Sequence, residues 1–252
     1  MNAHSAGGRV AVVTGAAGGL GAVLAARFHA AGYRVALADL DADGAAAAAQ
    51  ALDAGGATAF GIGLDVRDKS AFQRVCDTVV ARWDAVDVLV NNAGRSVAEP
   101  LMEITPESFS SVVSTNLDGV FYGCQVFGAY LAARGSGRIV NIASLAGQNG
   151  GTATGGHYAA AKGGVATLTK VFAREFADRG VTVNAVSPGP LDVPAVHAMM
   201  TPDRLAALRR GIPVGTLGDP AFVADAAVLL AAEHATSVTG ACWDVNGGLW
   251  MR

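Results

Sequence analysis

Short apolar runs alternate with longer amphipathic stretches along nearly all of this chain, and that rhythm limits its fold more than any other feature. The runs fall at residues 9–13, 34–38, 59–64, 86–90, 138–142, 181–186 and 241–245. Helix-like stretches lie between them, at 19–31, 41–54, 69–83, 106–134, 157–179 and 220–232. Thr105 and Pro106 suit the cap and first turn of the longest of these. The alanine run 45–49 reads as helix-forming filler. Strand and helix repeated in this order build an α/β fold, a doubly wound parallel sheet with helices on both faces. Runs such as Val86-Asp87-Val88-Leu89-Val90 are nearly continuous rather than alternating, which fits strands covered on both sides.

No low-complexity linker divides the 252 residues, so one domain over 1–252 is expected. Residues 191–218 break the alternation, hold Pro194, Pro202 and Pro213, and read as a substrate lid. Charged residues make up 15% of the chain, well below the usual quarter, so much of the surface is expected to lie against a core or partner subunits. A net charge of −3 speaks against a nucleic-acid partner. Cys76, Cys124 and Cys242 are too few and too scattered for a disulfide framework or a metal site. No apolar run approaches the ~18 residues of a membrane span, and residues 1–8 lack an apolar signal core, so a cytoplasmic protein with no membrane partner is expected.

After the first strand comes Thr14-Gly15-Ala16-Ala17-Gly18-Gly19-Leu20-Gly21. Glycines here let backbone approach a pyrophosphate, and the next helix turns its N-terminal amides toward it. Asp39 ends the second strand, where a carboxylate can accept from adenosine ribose hydroxyls and repel a 2′-phosphate. Gly18 and Leu40 leave no cation nearby, so NAD(H) is expected over NADP(H). Farther on, Tyr158 and Lys162 share one helix face at i, i+4. A free phenol titrates near ~10. A neighbouring ammonium should lower that and let Tyr158 exchange a proton with a substrate hydroxyl.

At these residues the chain resembles the classical short-chain dehydrogenase/reductase family, whose fold is a single-domain Rossmann-like sheet. The matching motifs stand in the family's order: Thr14-Gly15-(x3)-Gly19-x-Gly21, Asp65-Val66, Asn91-Asn92-Ala93-Gly94, Asn116, Ser144, Tyr158-(x3)-Lys162 and Pro188-Gly189. The resemblance implies catalysis by Asn116, Ser144, Tyr158 and Lys162. Ser144 would hold the substrate oxygen beside Tyr158, Lys162 would also bind the nicotinamide ribose, and Asn116 would hold a relay water. It implies a cofactor lying along Gly15, Gly19, Leu20, Gly21, Asp39, Leu40, Asp65, Val66, Asn91, Asn92, Ala93, Gly94, Pro188, Gly189, Leu191 and Val193. It also implies a homotetramer built on the helices at 106–134 and 157–179.

Two features limit the resemblance. The family usually has a threonine where this chain has Val193, so one nicotinamide anchor is expected to be lost or replaced. Residues 148–162 look like those of 3-oxoacyl-thioester reductases, and equally like those of polyol and secondary-alcohol dehydrogenases. The pocket is expected to draw on residues 95–99, on Gln148, Asn149, Thr152, Thr154 and His157, and on Met199 and Met200. The function expected is hydride transfer between NAD(H) and a secondary alcohol or ketone. Reduction of an acyl-carrier-protein or CoA thioester, with an arginine patch for the carrier (Arg134, Arg138, Arg174, Arg179), is the alternative. A non-catalytic NAD(H) sensor is the alternative from another class.

Overall fold

The structure is a computed structural model that describes residues 8–151, 154–199 and 201–251. Its first half runs β1 (Val10–Thr14), α1 (Gly19–Ala30), β2 (Arg34–Asp39), α2 (Ala42–Leu52), β3 (Ala59–Gly63), α3 (Lys69–Trp83) and β4 (Val88–Asn91). Next come α4 (Pro106–Val113), α5 (Gly119–Arg134), β5 (Gly137–Ile142), a short α6 (Ala146–Asn149) and α7 (Gly156–Phe176). The last part holds β6 (Val181–Pro188), α8 (Pro194–Met199), α9 (Pro202–Gly211), α10 (Pro220–Leu230) and β7 (Cys242–Val245). The seven strands form one sheet in the order β3-β2-β1-β4-β5-β6-β7, and every pairing is parallel.

Successive strand residues feed opposite faces, so the sheet has two cores. Val10 and Val12 of β1 join Phe72, Phe127, Phe172 and Phe176 under α3, α5 and α7. Ala11 and Val13 join Leu24, Phe28, Ala45 and Leu230 under α1, α2 and α10. The alanine run is more than filler. A Cβ placed on Gly61 of β3 would lie 2.3 Å from the Ala46 amide nitrogen, so α2 rests backbone to backbone on the sheet and admits only small side chains there. The chain crosses from the β3 edge to the far half between β1 and β4, and ligand crevices open at such reversals, beyond the carboxyl ends of the strands.

The long helix expected at 106–134 is interrupted. Ser114–Asp118 forms a π-helical turn between α4 and α5, and the Gly119 N–H bonds the Ser114 carbonyl. The cause is Asn116, which is fully buried. Its Nδ2 donates to the Val112 carbonyl at 2.9 Å and to the Arg95 carbonyl at 2.8 Å, and its Oδ1 accepts from the Arg95 N–H at 3.2 Å. The side chain thus pulls the helix toward the strand-end loop. Three of the four arginines of the expected basic patch bond to neighbouring groups: Arg134 donates to the Val86 carbonyl, Arg138 to those of Ala232 and Glu233, and Arg179 to Glu175. No helix among the described residues is long and apolar enough to cross a membrane.

Candidate active site

The glycine segment after β1 is built by backbone geometry. Gly15 and Gly19 have φ of 66° and 55°, in the left-handed region that favours glycine. A Cβ on Gly21 would lie 1.9 Å from the Gly15 carbonyl oxygen. The Thr14 hydroxyl accepts from the N–H groups of Asn92 and Ala93, both at 3.0 Å. Asn92 Nδ2 returns two bonds, to the carbonyls of Thr14 (2.9 Å) and Gly15 (3.1 Å). Gly18, the N-cap of α1, offers no side-chain acceptor, so the first amides of that helix are left to whatever lies in front of it.

In front of it lies a groove of about 560 Å³. Gly15, Gly19, Leu20, Gly21, Asp39, Leu40, Asp65, Val66, Asn92, Ala93 and Gly94 all line it. Asp39 carries structural bonds of its own. Its Oδ2 accepts from the Ala17 N–H at 2.9 Å and its Oδ1 from the Asp41 N–H at 3.0 Å, while Asp41 caps α2. Each carboxylate oxygen keeps a further lone pair for a ligand hydroxyl.

Arg67 also lines the groove and was not anticipated. It forms a bidentate pair with Asp65, Nε to Oδ1 at 2.9 Å and a terminal nitrogen to Oδ2 at 2.6 Å. That hydrogen bonding holds the Asp65 carboxyl below the usual carboxylate range. The signal available was an Asx turn, with the Arg67 N–H bonded to Asp65 Oδ1. Asn91 does not face the groove as expected. It is buried, and its Nδ2 donates to Asn141 Oδ1 at 2.9 Å, inside a polar chain that continues to Thr169.

A second cavity of about 220 Å³ shares Leu20, Asn92 and Gly94 with the groove, so the two adjoin. Ser144, Tyr158, Lys162, Pro188, Gly189 and Leu191 line it, with Ser96, Ile142 and Ala143. Ser144 follows β5, Tyr158 lies in the first turn of α7, and Lys162 stands one turn on. Lys162 Nζ donates to the Ile142 carbonyl at 2.7 Å and lies 5.8 Å from the Tyr158 ring centre. The expectation of a Tyr158 phenol below its ordinary value is corrected here. Burial pushes that phenol up, and a hydrogen bond with Ser144 only partly opposes it. Burial also pushes the Lys162 ammonium down, to about 8. Both groups lose water, and each favours its neutral form.

Asn116 borders the site from behind, with its Oδ1 2.7 Å and Lys162 Nζ 3.6 Å from where a Gly94 Cβ would stand. Both donors of its side chain are spent on the Arg95 and Val112 carbonyls and its Oδ1 accepts from Arg95, which leaves one Oδ1 lone pair and its main chain for a relay water. Val193 lines neither cavity. Its N–H bonds the Leu191 carbonyl, and its carbonyl accepts from Val196 as α8 begins. Leu191 bridges to Gly218, tying the two ends of the 191–218 segment together. Gln148 Nε2 donates to Asp244 rather than opening into the cavity, and Asn149 caps its own turn by accepting from Gly151. Thr152, Met200 and the side chain of Met199 lie outside the described residues.

The groove fits a dinucleotide. It offers a glycine cradle too tight for any Cβ at Gly21, an uncapped helix start for the phosphates, and a carboxylate at the ribose end.

A family model described as enoyl-(acyl carrier protein) reductase matches residues 15–250. D-threitol dehydrogenase of Mycolicibacterium smegmatis is 38% identical over 247 residues, which are 97% of this chain and 94% of that protein. Acetoacetyl-CoA reductase of Rhizobium meliloti is 39% identical over 249 residues, 96% of this chain and 99% of that protein. Among solved structures, a variant of actinorhodin polyketide ketoreductase crystallised with NADPH superposes with a TM-score of 0.90 at 36% identity, covering 96% and 97% of the two chains.

Proposed function

The chain belongs to the short-chain dehydrogenase/reductase family of oxidoreductases, and from that premise we propose that it interconverts a secondary alcohol and a ketone with NAD(H), using Tyr158 as acid/base. One observation carries this reading: Ser144, Tyr158 and Lys162 converge on a small cavity that adjoins the glycine-lined groove. The bound dinucleotide supplies or accepts the hydride. Ser144 holds the substrate oxygen, and the neutral Tyr158 phenol donates its proton as that oxygen gains charge. In the reverse direction the phenolate takes the proton back. Lys162, buried beside the ring, stabilises that phenolate when charged, and its lowered pKa lets it pass a proton on near neutrality. The preference for NAD(H) rests on the Asp39 carboxylate at the ribose end of the groove. Arg67 does not overturn it, because its guanidinium is already held by Asp65.

Polyols are the first substrate class to test, since D-threitol dehydrogenase matches nearly end to end. A 3-oxoacyl thioester is the second reading, favoured by the equally extended match to acetoacetyl-CoA reductase. The test is a panel of D-threitol, other small polyols, free ketones and acetoacetyl-CoA, followed by nicotinamide absorbance with both cofactors. Tyr158→Phe should cut turnover by about 10²–10⁴-fold and leave NADH binding intact. Full turnover in that variant would remove Tyr158 from the chemistry.

A further inference from the structure

One buried group next to the site has no part in that mechanism. His157 is fully buried in the first turn of α7, immediately before Tyr158. Its Nδ1 accepts the Tyr158 N–H at 2.9 Å, so in the neutral ring the proton sits on Nε2. That buried Nε2 has no hydrogen-bond partner, and a buried donor left unpaired is costly. It stands 3.5 Å from Glu99 Oε2, just beyond bonding range. Glu99 is itself held in place, accepting from the Ser108 hydroxyl at 2.7 Å. Nearby, the Gly155 N–H bonds the Val97 carbonyl at 2.9 Å. These contacts lie on the segment that carries Ser96 into the catalytic cavity.

We propose that His157 is a positioning residue. When the cavity closes on a substrate, His157 Nε2–H bonds Glu99, and the ring then ties the Ser96 wall to the backbone of Tyr158. Wall and acid/base are set by one movement rather than two. Small errors in such a placement are expensive for catalysis. The inference rests on Tyr158 being the acid/base, and it assigns its holder.

The test uses two halves of the imidazole. His157→Asn keeps an acceptor near the Tyr158 N–H but cannot reach Glu99, and Glu99→Ala removes the same contact from the other side. Kinetics are read with D-threitol and NAD⁺ and with acetoacetyl-CoA and NADH. The NMR resonance of the Tyr158 ring in the NADH-bound protein is read alongside and needs no turnover. We expect kcat to fall about tenfold in each variant with NADH affinity unchanged, and the ring resonance to move in both. Glu99→Ala added to His157→Asn should cost nothing more, while Glu99→Gln, which keeps an acceptor, should recover most of the rate. An unmoved resonance in both single variants, or losses that multiply in the double variant, would overturn the inference. Where neither probe turns over, the resonance decides. A Tyr158→Phe protein that stays active sinks the acid/base reading itself. An inactive one beside unaffected His157 and Glu99 variants sinks only this proposal.

Discussion

Lys162 is the residue whose position costs the empty fold most plainly. Its ammonium is buried against the Ile142 carbonyl and titrates near 8, well below an ordinary lysine. Below about pH 8 both the folded and unfolded chains carry the charge, and the folded state bears the full cost of burying it. As pH climbs from about 8 toward the ordinary lysine range, the unfolded chain still holds the proton that the folded one has released, so stability rises with pH. Lys162→Met should therefore stabilise the empty protein at pH 7 by about 1–3 kcal/mol and flatten that rise, while abolishing turnover. Urea unfolding across pH checks this, and a variant no more stable than the parent contradicts it. Asp39 gives a second prediction. Asp39→Ser removes the carboxylate facing a 2′-phosphate, so the ratio of NADPH to NADH affinity should rise at least about tenfold by calorimetry. NADH affinity itself should fall, because losing the carboxylate's bond to the Ala17 amide loosens the glycine loop.

At the scale of elements, the π-helical turn at Ser114–Asp118 joins the sheet's carboxyl edge to the helix layer through one side chain. Asn116→Ala would leave the N–H and carbonyl of Arg95 and the carbonyl of Val112 without that partner. A loss of about 2–4 kcal/mol in unfolding free energy is expected, read as a lower urea midpoint, with weaker NADH binding, because Gly94 and Arg95 lose their support. An unchanged midpoint would show that the turn holds without it. The turn was not legible in the sequence, where apolar periodicity runs unbroken through 106–134 and a single extra residue in one turn leaves no compositional trace. The strands and the other long helices were legible, because both sheet faces are buried and the pattern has no competing explanation. Residues that do their work through backbone were legible as well, the glycines above all. Side chains that choose between two directions were not. Asn91 turns to Asn141 instead of the groove, Gln148 reaches Asp244, and Arg67 folds back on Asp65 within its own turn.

At the scale of the whole molecule, the exposed apolar side chains among the described residues include two groups. Leu101, Met102, Phe109 and Val171 are exposed on the side of α4 and α7, and Phe222 and Leu229 along α10, with Trp250 and Met251 near the chain's end. Two separate apolar faces suit two isologous contacts, the arrangement that closes four copies into one particle. We expect a tetramer by sedimentation equilibrium, with Val171→Glu and Phe222→Glu each halving it, and a monomeric parent would refute this. The sheet order has a consequence for how the chain comes to be folded at all. Strands β1, β2 and β3 can assemble from consecutive sequence, but β4 must return to the opposite flank of β1, where Ala11 pairs with Val88. That closure joins distant parts of the chain and is the slow kind of event in folding. The nucleotide groove straddles this seam, with Gly15 and Asp39 on one side and Asn92 and Gly94 on the other. Nicotinamide nucleotide added to a refolding chain therefore meets no complete binding surface until the seam has closed. It can hold the finished protein together, but it cannot hasten its birth.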